Sequence, residues 1–120
     1  KRNGAFSLIE MLVVIAVIGI IAAIAVPNIG RINDAAKDSK DMRNAQNLAS
    51  VCAAAQAAGL DFVAADVPLT VTAVVAGGTV SDPGPFNGTF FGVPNLTAAD
   101  QTASAAYLSI ANGMLVYDGP

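Results

Sequence analysis

The sequence predicts an α+β fold, in which a long N-terminal α-helix packs against a small C-terminal domain of short helices and an antiparallel β-hairpin. Three observations predict it. Residues 6–27 are almost entirely apolar, residues 29–55 carry apolar side chains at threes and fours, and the remainder is built of short pieces ending in two apolar runs around Asn112-Gly113. About 60 residues after Gly59 bury too little surface to be comfortable alone, so the helix is expected to lend them a packing face. The expected organisation is a basic leader (1–5), an apolar helix (6–27), an amphipathic helical half (28–59) and a small globular part (60–120).

Lys1 and Arg2 precede the apolar segment, and no cation follows until Arg31. By the positive-inside bias the N-terminus is expected in the cytoplasm, with the rest sent across the membrane in a single pass. From Met11 to Val26 there are 16 uncharged residues, about 24 Å of helix, short of a hydrocarbon core of about 30 Å. Counted from Phe6 the run has 21 residues, about 31 Å, which spans. Glu10 then lies inside the span, near its cytoplasmic end.

Gly19 and Pro27 weaken this helix, the proline by removing a donor and crowding the carbonyl four residues earlier. Beyond Pro27 an apolar face runs through Ile29, Ile32, Ala36, Met42, Ala45, Leu48, Ala49, Cys52 and Ala55, while Arg31, Asp34, Lys37, Asp38, Lys40 and Asp41 are expected on the solvated side. Arg31 with Asp34, and Lys37 with Asp41, have the spacing of same-face ion pairs. Gly59 is the expected C-terminal stop.

Val67–Gly78 suits either a short helix or a strand, with helix preferred. Residues 81–88 have turn chemistry, and 89–93 read as a short strand. Thr97 precedes Asp100 by three residues, an N-cap pattern opening a short alanine-rich helix. Asn112-Gly113 is the preferred type I′ pair and predicts a hairpin over 107–118, with its packed side left open. The triplets Asn87-Gly88-Thr89 and Asn95-Leu96-Thr97 match a glycosylation acceptor pattern but are read as turn residues.

All six basic residues lie in the first 43 positions, and beyond them come five aspartates and no cation. Nucleic-acid binding by the lone subunit is not expected, because phosphate contacts need Lys or Arg. There is no histidine, so the commonest general base and metal ligand is absent. The single Cys52 has no internal disulfide partner and reads as a small core residue. The aspartates lack the dense alternating spacing of a calcium loop. No catalytic residue, metal or cofactor is expected.

A carboxylate at mid-bilayer costs about 3 kcal/mol even on lenient insertion scales, so Glu10 needs a reason. Ser7-Leu8-Ile9-Glu10 is a capping box, which supplies one. Glutamine would serve that box without the penalty, so capping does not account for the charge.

The segment GAFSLIEMLVVIAVIGIIAAIAVPNI resembles the N-terminal signature of type IV pilins and type II secretion pseudopilins: a short basic leader ending in a small residue, then Phe, a hydroxyl residue, two aliphatics, Glu and an apolar helix. The resemblance implies cleavage by a membrane-embedded prepilin peptidase between Ala5 and Phe6, and methylation of the new Phe6 amine. Ala5 stands where the family usually has glycine, with Gly4 one place earlier. Gly19 and Pro27 fall on the family's helix-breaking positions. The pair of C-terminal cysteines found in many true pilins is missing, which favours a pseudopilin-like or minimal pilin-like subunit.

The resemblance further implies storage in the lipid of the bacterial inner membrane and extraction by an assembly platform with a cytoplasmic ATPase. The subunits then polymerise as a homo-oligomeric helical filament, periplasmic or extracellular, with Glu10 setting register against the Phe6 amine of a neighbour. Partial unwinding between Gly19 and Pro27 is expected on packing. Two other accounts compete: a cleaved secretory signal ending near Ala23-Ile24-Ala25, and a membrane-anchored or exported binding domain that does not polymerise. An anchored enzyme lacks a constellation to work with.

Overall fold

The computed structural model describes residues 5–119, so all of the expected leader except Ala5 lies outside the described residues, as does Pro120. Helix α1 (Leu8–Ala57) is followed by α2 (Val67–Ala76), β1 (Gly78–Thr79), β2 (Phe90–Phe91), α3 (Ala98–Ala105), β3 (Leu108–Ala111) and β4 (Met114–Tyr117). The expected α+β class is the observed one. The chain divides after Lys37 into two units.

In the first unit the helical side chains find no cover. Ile15, Ile18, Ile21 and Ile24 are 58–65% exposed, although together they lie on different sides of the helix. An isolated helix that is apolar all round belongs in lipid or in a bundle.

In the second unit α1 presents Ala45, Leu48, Cys52 and Ala55 to a core completed by Phe62, Val71, Val74, Val93, Leu108 and Leu115. The spacing of three and four that marks this face in the sequence continues backwards to Asp41, which is 5% exposed. Its expected place on the solvated side is therefore corrected. The Lys37–Asp41 pair does not form, and neither does Arg31–Asp34: the ion pair seen among the described residues is Lys40 to Asp100, 3.1 Å across the sequence from α1 to α3.

Gly59 ends α1 as expected. At φ +100° it sits at the centre of a Schellman motif, in which the Leu60 amide donates to the Ala55 carbonyl and the Gly59 amide to that of Gln56. Helix α2 takes its N-cap from Asp66, whose carboxylate accepts from the Leu69 amide at 2.9 Å, with Pro68 in the first turn. That Asp-x-Pro pattern decides between the helix and strand allowed by the β-branched residues. Thr97 caps α3, its hydroxyl accepting from the Asp100 amide at 3.2 Å.

The β3–β4 hairpin turns at Asn112 (φ 55°) and Gly113 (φ 74°), both in the left-handed region that a type I′ turn requires. Register settles the packed side. Leu108 opposes Tyr117 and Ile110 opposes Leu115 on the core face, while Val116 and Met114 face outward. The second hairpin, β1 with β2, pairs Gly78 with Phe91 and Thr79 with Phe90. Its connecting loop is braced by the Asn87 amide, which donates to the carbonyls of Ser81 and Asp82, both at 3.1 Å.

Gly77 joins α2 to β1 at φ 75°, ψ 177°, a combination that is essentially glycine-only. A Cβ there would also collide with the Phe90 ring and lie 3.0 Å from the Phe91 carbonyl oxygen. Gly77→Ala is expected to cost about 2–4 kcal/mol, backbone strain and overpacking together. Gly113→Ala, with open space around the new methyl, is expected to cost only about 1 kcal/mol. Urea midpoints of the two variants in the same detergent check the contrast.

Burial pushes the Cys52 thiol above its ordinary value, opposed by a backbone hydrogen bond from Leu115. A buried, protonated thiol is a packing group and not a nucleophile. Asp100 moves the other way, its hydrogen bond from Lys40 holding the carboxyl below the usual carboxylate range. The pair's contribution is thus fully present above the unfolded carboxylate value of about 3.9 and is lost as pH falls through the lower folded value. An NMR titration should place the Asp100 midpoint below about 3.9, and Lys40→Met should return it toward that value.

Candidate processing and assembly site

Ala5, Phe6 and Ser7 precede the first turn of α1 in non-helical backbone, all three exposed. An accessible, non-helical segment ahead of a helix is the kind of place where a protease can engage a chain. The helix then starts through the reciprocal contact read from the spacing. The Ser7 amide donates to Glu10 Oε2 at 3.1 Å, and the Glu10 amide donates to Ser7 Oγ at 3.3 Å.

This arrangement uses one carboxylate oxygen and leaves the other free of any intramolecular hydrogen bond among the described residues. Around it the described surface is apolar: Phe6, Ile9, Met11, Val13 and Val14 line a shallow depression of about 440 Å³, with Glu10 as its only charged group among the described residues. Phe6 is 73% exposed and Ile9 69%. Negative charge at a helix N-terminus also meets the positive end of the macrodipole, so the position tolerates a carboxylate better than the middle of the helix would.

Gly19 and Pro27 both lie inside α1, which runs through them as helix. Gly19 is open on its side-chain face, with no atom within 4 Å of where a Cβ would stand. The helix meets the length and composition needed to cross a membrane, and none of its most apolar window is buried.

The second unit offers a different kind of surface. Between α2 and α3 lies a groove of about 490 Å³ lined by residues such as Val71, Thr72, Gln101 and Thr102, with no titratable side chain. Among the described residues no group of three or more His, Cys, Asp or Glu is placed to hold a metal ion.

An exposed apolar helix headed by a capped carboxylate, followed by a small α+β unit, defines a membrane-anchorable chain built around one helix. Its N-terminal segment can be placed more closely. Residues 1–26 match the family model described as the prokaryotic N-terminal methylation motif, the signature of type IV pilin-like and pseudopilin-type precursors. No curated protein and no solved structure matches the chain. The sequence-predicted residues Ala5, Phe6, Glu10 and Gly19 fall within the matched segment, and Pro27 follows it directly.

Proposed function

We propose that the chain is a structural subunit of a type IV pilus-like or type II secretion pseudopilus-like filament. It is not an enzyme on this reading. The observation that carries it is the methylation motif over residues 1–26, heading a helix whose apolar side chains have no cover in their own unit. The subunit waits in the bacterial inner membrane with its N-terminus cytoplasmic. Prepilin peptidase cuts between Ala5 and Phe6, the new amine is methylated, and an assembly platform with its ATPase moves the subunit into the filament.

Glu10 has a physical part in that sequence. Inside an apolar bundle an unpaired carboxylate is costly, so packing is favoured where a cation meets it. The amine freed at Phe6 is such a cation, offered by an axially displaced neighbour. Within one chain the same two groups are four residues apart, so self-pairing competes before assembly. The aliphatic side chains supply most of the packing energy, and Glu10 sets register. The stretch from Gly19 to Pro27, short of one hydrogen bond, is where the helix lengthens on packing.

N-terminal sequencing of the membrane-extracted protein tests the processing step. A mature chain beginning at Phe6 with a methylated amine is the expected result, and electron microscopy of the same preparation should show filaments. A chain beginning near Val26 would establish the secretory-signal account instead.

A further inference from the structure

The sequence holds three Asn-Gly pairs, Asn3-Gly4, Asn87-Gly88 and Asn112-Gly113, the first of which lies outside the described residues. Such a pair is chemically distinctive because glycine has no Cβ to keep its amide nitrogen away from the carbonyl carbon of the preceding side chain. All four residues of the two described pairs are exposed, yet the fold treats the pairs differently.

Asn87 is tied down on several sides. Its side-chain amide donates to the carbonyls of Ser81 and Asp82, its backbone amide donates to the Gly84 carbonyl at 3.2 Å, and the Gly88 amide donates to the Val80 carbonyl at 2.8 Å. The nitrogen that would attack the Asn87 side chain is thus fixed on another acceptor. At the β3–β4 turn neither the Asn112 side chain nor the Gly113 amide makes a hydrogen bond among the described residues. The bond from Gln56 Nε2 to the Gly113 carbonyl, at 3.1 Å, belongs to the next peptide plane and leaves the 112–113 peptide able to rotate.

That rotation has a specific end point. Asn112 stands at φ 55°, the sign that types I′ and II′ share at this position, and both types close a two-residue hairpin. They interconvert by a flip of the single peptide between the two central residues, for which Gly113 supplies either sign of φ. In the II′ form the first central residue has ψ of about −120°, which eclipses the following nitrogen with its own Cβ and brings Gly113 N within reach of Asn112 Cγ.

We propose that Asn112 deamidates spontaneously through a succinimide with Gly113, and that the isoaspartyl product loosens the β3–β4 hairpin from the core. A solvent base takes the Gly113 amide proton, the nitrogen bonds to Asn112 Cγ, and the Cγ–Nδ2 bond breaks, the departing NH2 regaining a proton and leaving as ammonia. Water then opens the ring. Cleavage of the new bond at Cγ leaves aspartate, which accepts the left-handed conformation much as asparagine does. Cleavage of the original main-chain bond leaves isoaspartate, with the chain routed through Cβ and Cγ and one atom longer. A two-residue turn has no slack for that atom, and the adjacent pair is Ile110 with Leu115, the latter 4% exposed in the core. The inference stands independently of the filament reading.

Ageing the full-length chain in detergent and mildly alkaline buffer tests it, with chymotryptic peptides read for the gain of about one mass unit that marks deamidation. Asn112 should convert at least about tenfold faster than Asn87 in the folded chain, and the two should convert within about threefold of each other in urea. Equal rates in the folded chain, or an Asn112 that keeps its amide while the urea-unfolded chain converts, would overturn the site. The aged chain should also unfold at a lower urea midpoint than the parent, with freshly prepared Asn112→Asp close to the parent. Treatment with isoaspartyl methyltransferase and S-adenosylmethionine returns isoaspartate to aspartate and should restore the midpoint. An aged chain rich in isoaspartate that keeps the parent's midpoint would overturn the loosening of the hairpin.

Discussion

Glu10→Ala is expected to leave the chain inserted in the membrane and to lower polymer yield about a hundredfold or more. The magnitude follows from the proposed pairing of Glu10 with a neighbour's Phe6 amine: breaking a buried pair costs about 3–5 kcal/mol when the remaining charge is left unmatched, at about 1.4 kcal/mol for each tenfold. Insertion itself should improve, since a charge leaves the apolar run. Alanine also removes the carboxylate that accepts from the Ser7 amide, a loss of about 1 kcal/mol at the start of α1. Glu10→Gln separates the two effects because its amide oxygen still accepts from Ser7. If charge sets register, Gln assembles almost as badly as Ala; normal filaments from Gln would reduce Glu10 to a cap. Yield by sedimentation, beside insertion by carbonate extraction, reads both.

Leu48→Ala is expected to destabilise the second unit by about 2–5 kcal/mol, the range for a large aliphatic removed from a rigid core. Leu48 is 0% exposed, and its neighbours on the buried face, Ala45, Cys52 and Ala55, are small. Little material is therefore at hand to fill the void. A unit of this size has few kcal/mol in reserve, so a large unfolded fraction at 37 °C should follow, with urea denaturation as the measurement. Ile32→Ala removes a side chain that is 66% exposed and should leave the same midpoint within about 0.5 kcal/mol. Its effect should instead be on assembly.

Periodicity carried most of α1 in the sequence. Ala45, Leu48, Cys52 and Ala55 are readable as one face, but for the aspartate in phase with them polarity points to solvent where spacing points to the core. Four residues before Ala45 is a core position, and Asp41 occupies it. The β3–β4 hairpin was readable from Asn112-Gly113 because that pair supplies the two positive φ angles without tertiary help. Helix α2 was only half readable: β-branched residues argued for strand, and the deciding signal lay just before them in Asp66 and Pro68. Strand β1 has no local signal. It consists of Gly78 and Thr79, which become a strand only because Phe90 and Phe91 pair with them from across a loop. At the N-terminal segment the capping box is legible residue by residue, whereas the proposed cleavage and methylation rest on the family signature alone.

The core of the second unit also sets a timetable. Leu115 belongs to the same cluster as Leu48, and 67 residues separate them in sequence. Until the chain up to β4 has been made, the face of α1 at Leu48 and Cys52 waits uncovered. The β3–β4 hairpin itself closes locally on a scale of about 1–10 µs once it exists. During that interval the growing chain exposes apolar surface, the state in which partly built domains meet chaperones, proteases or one another.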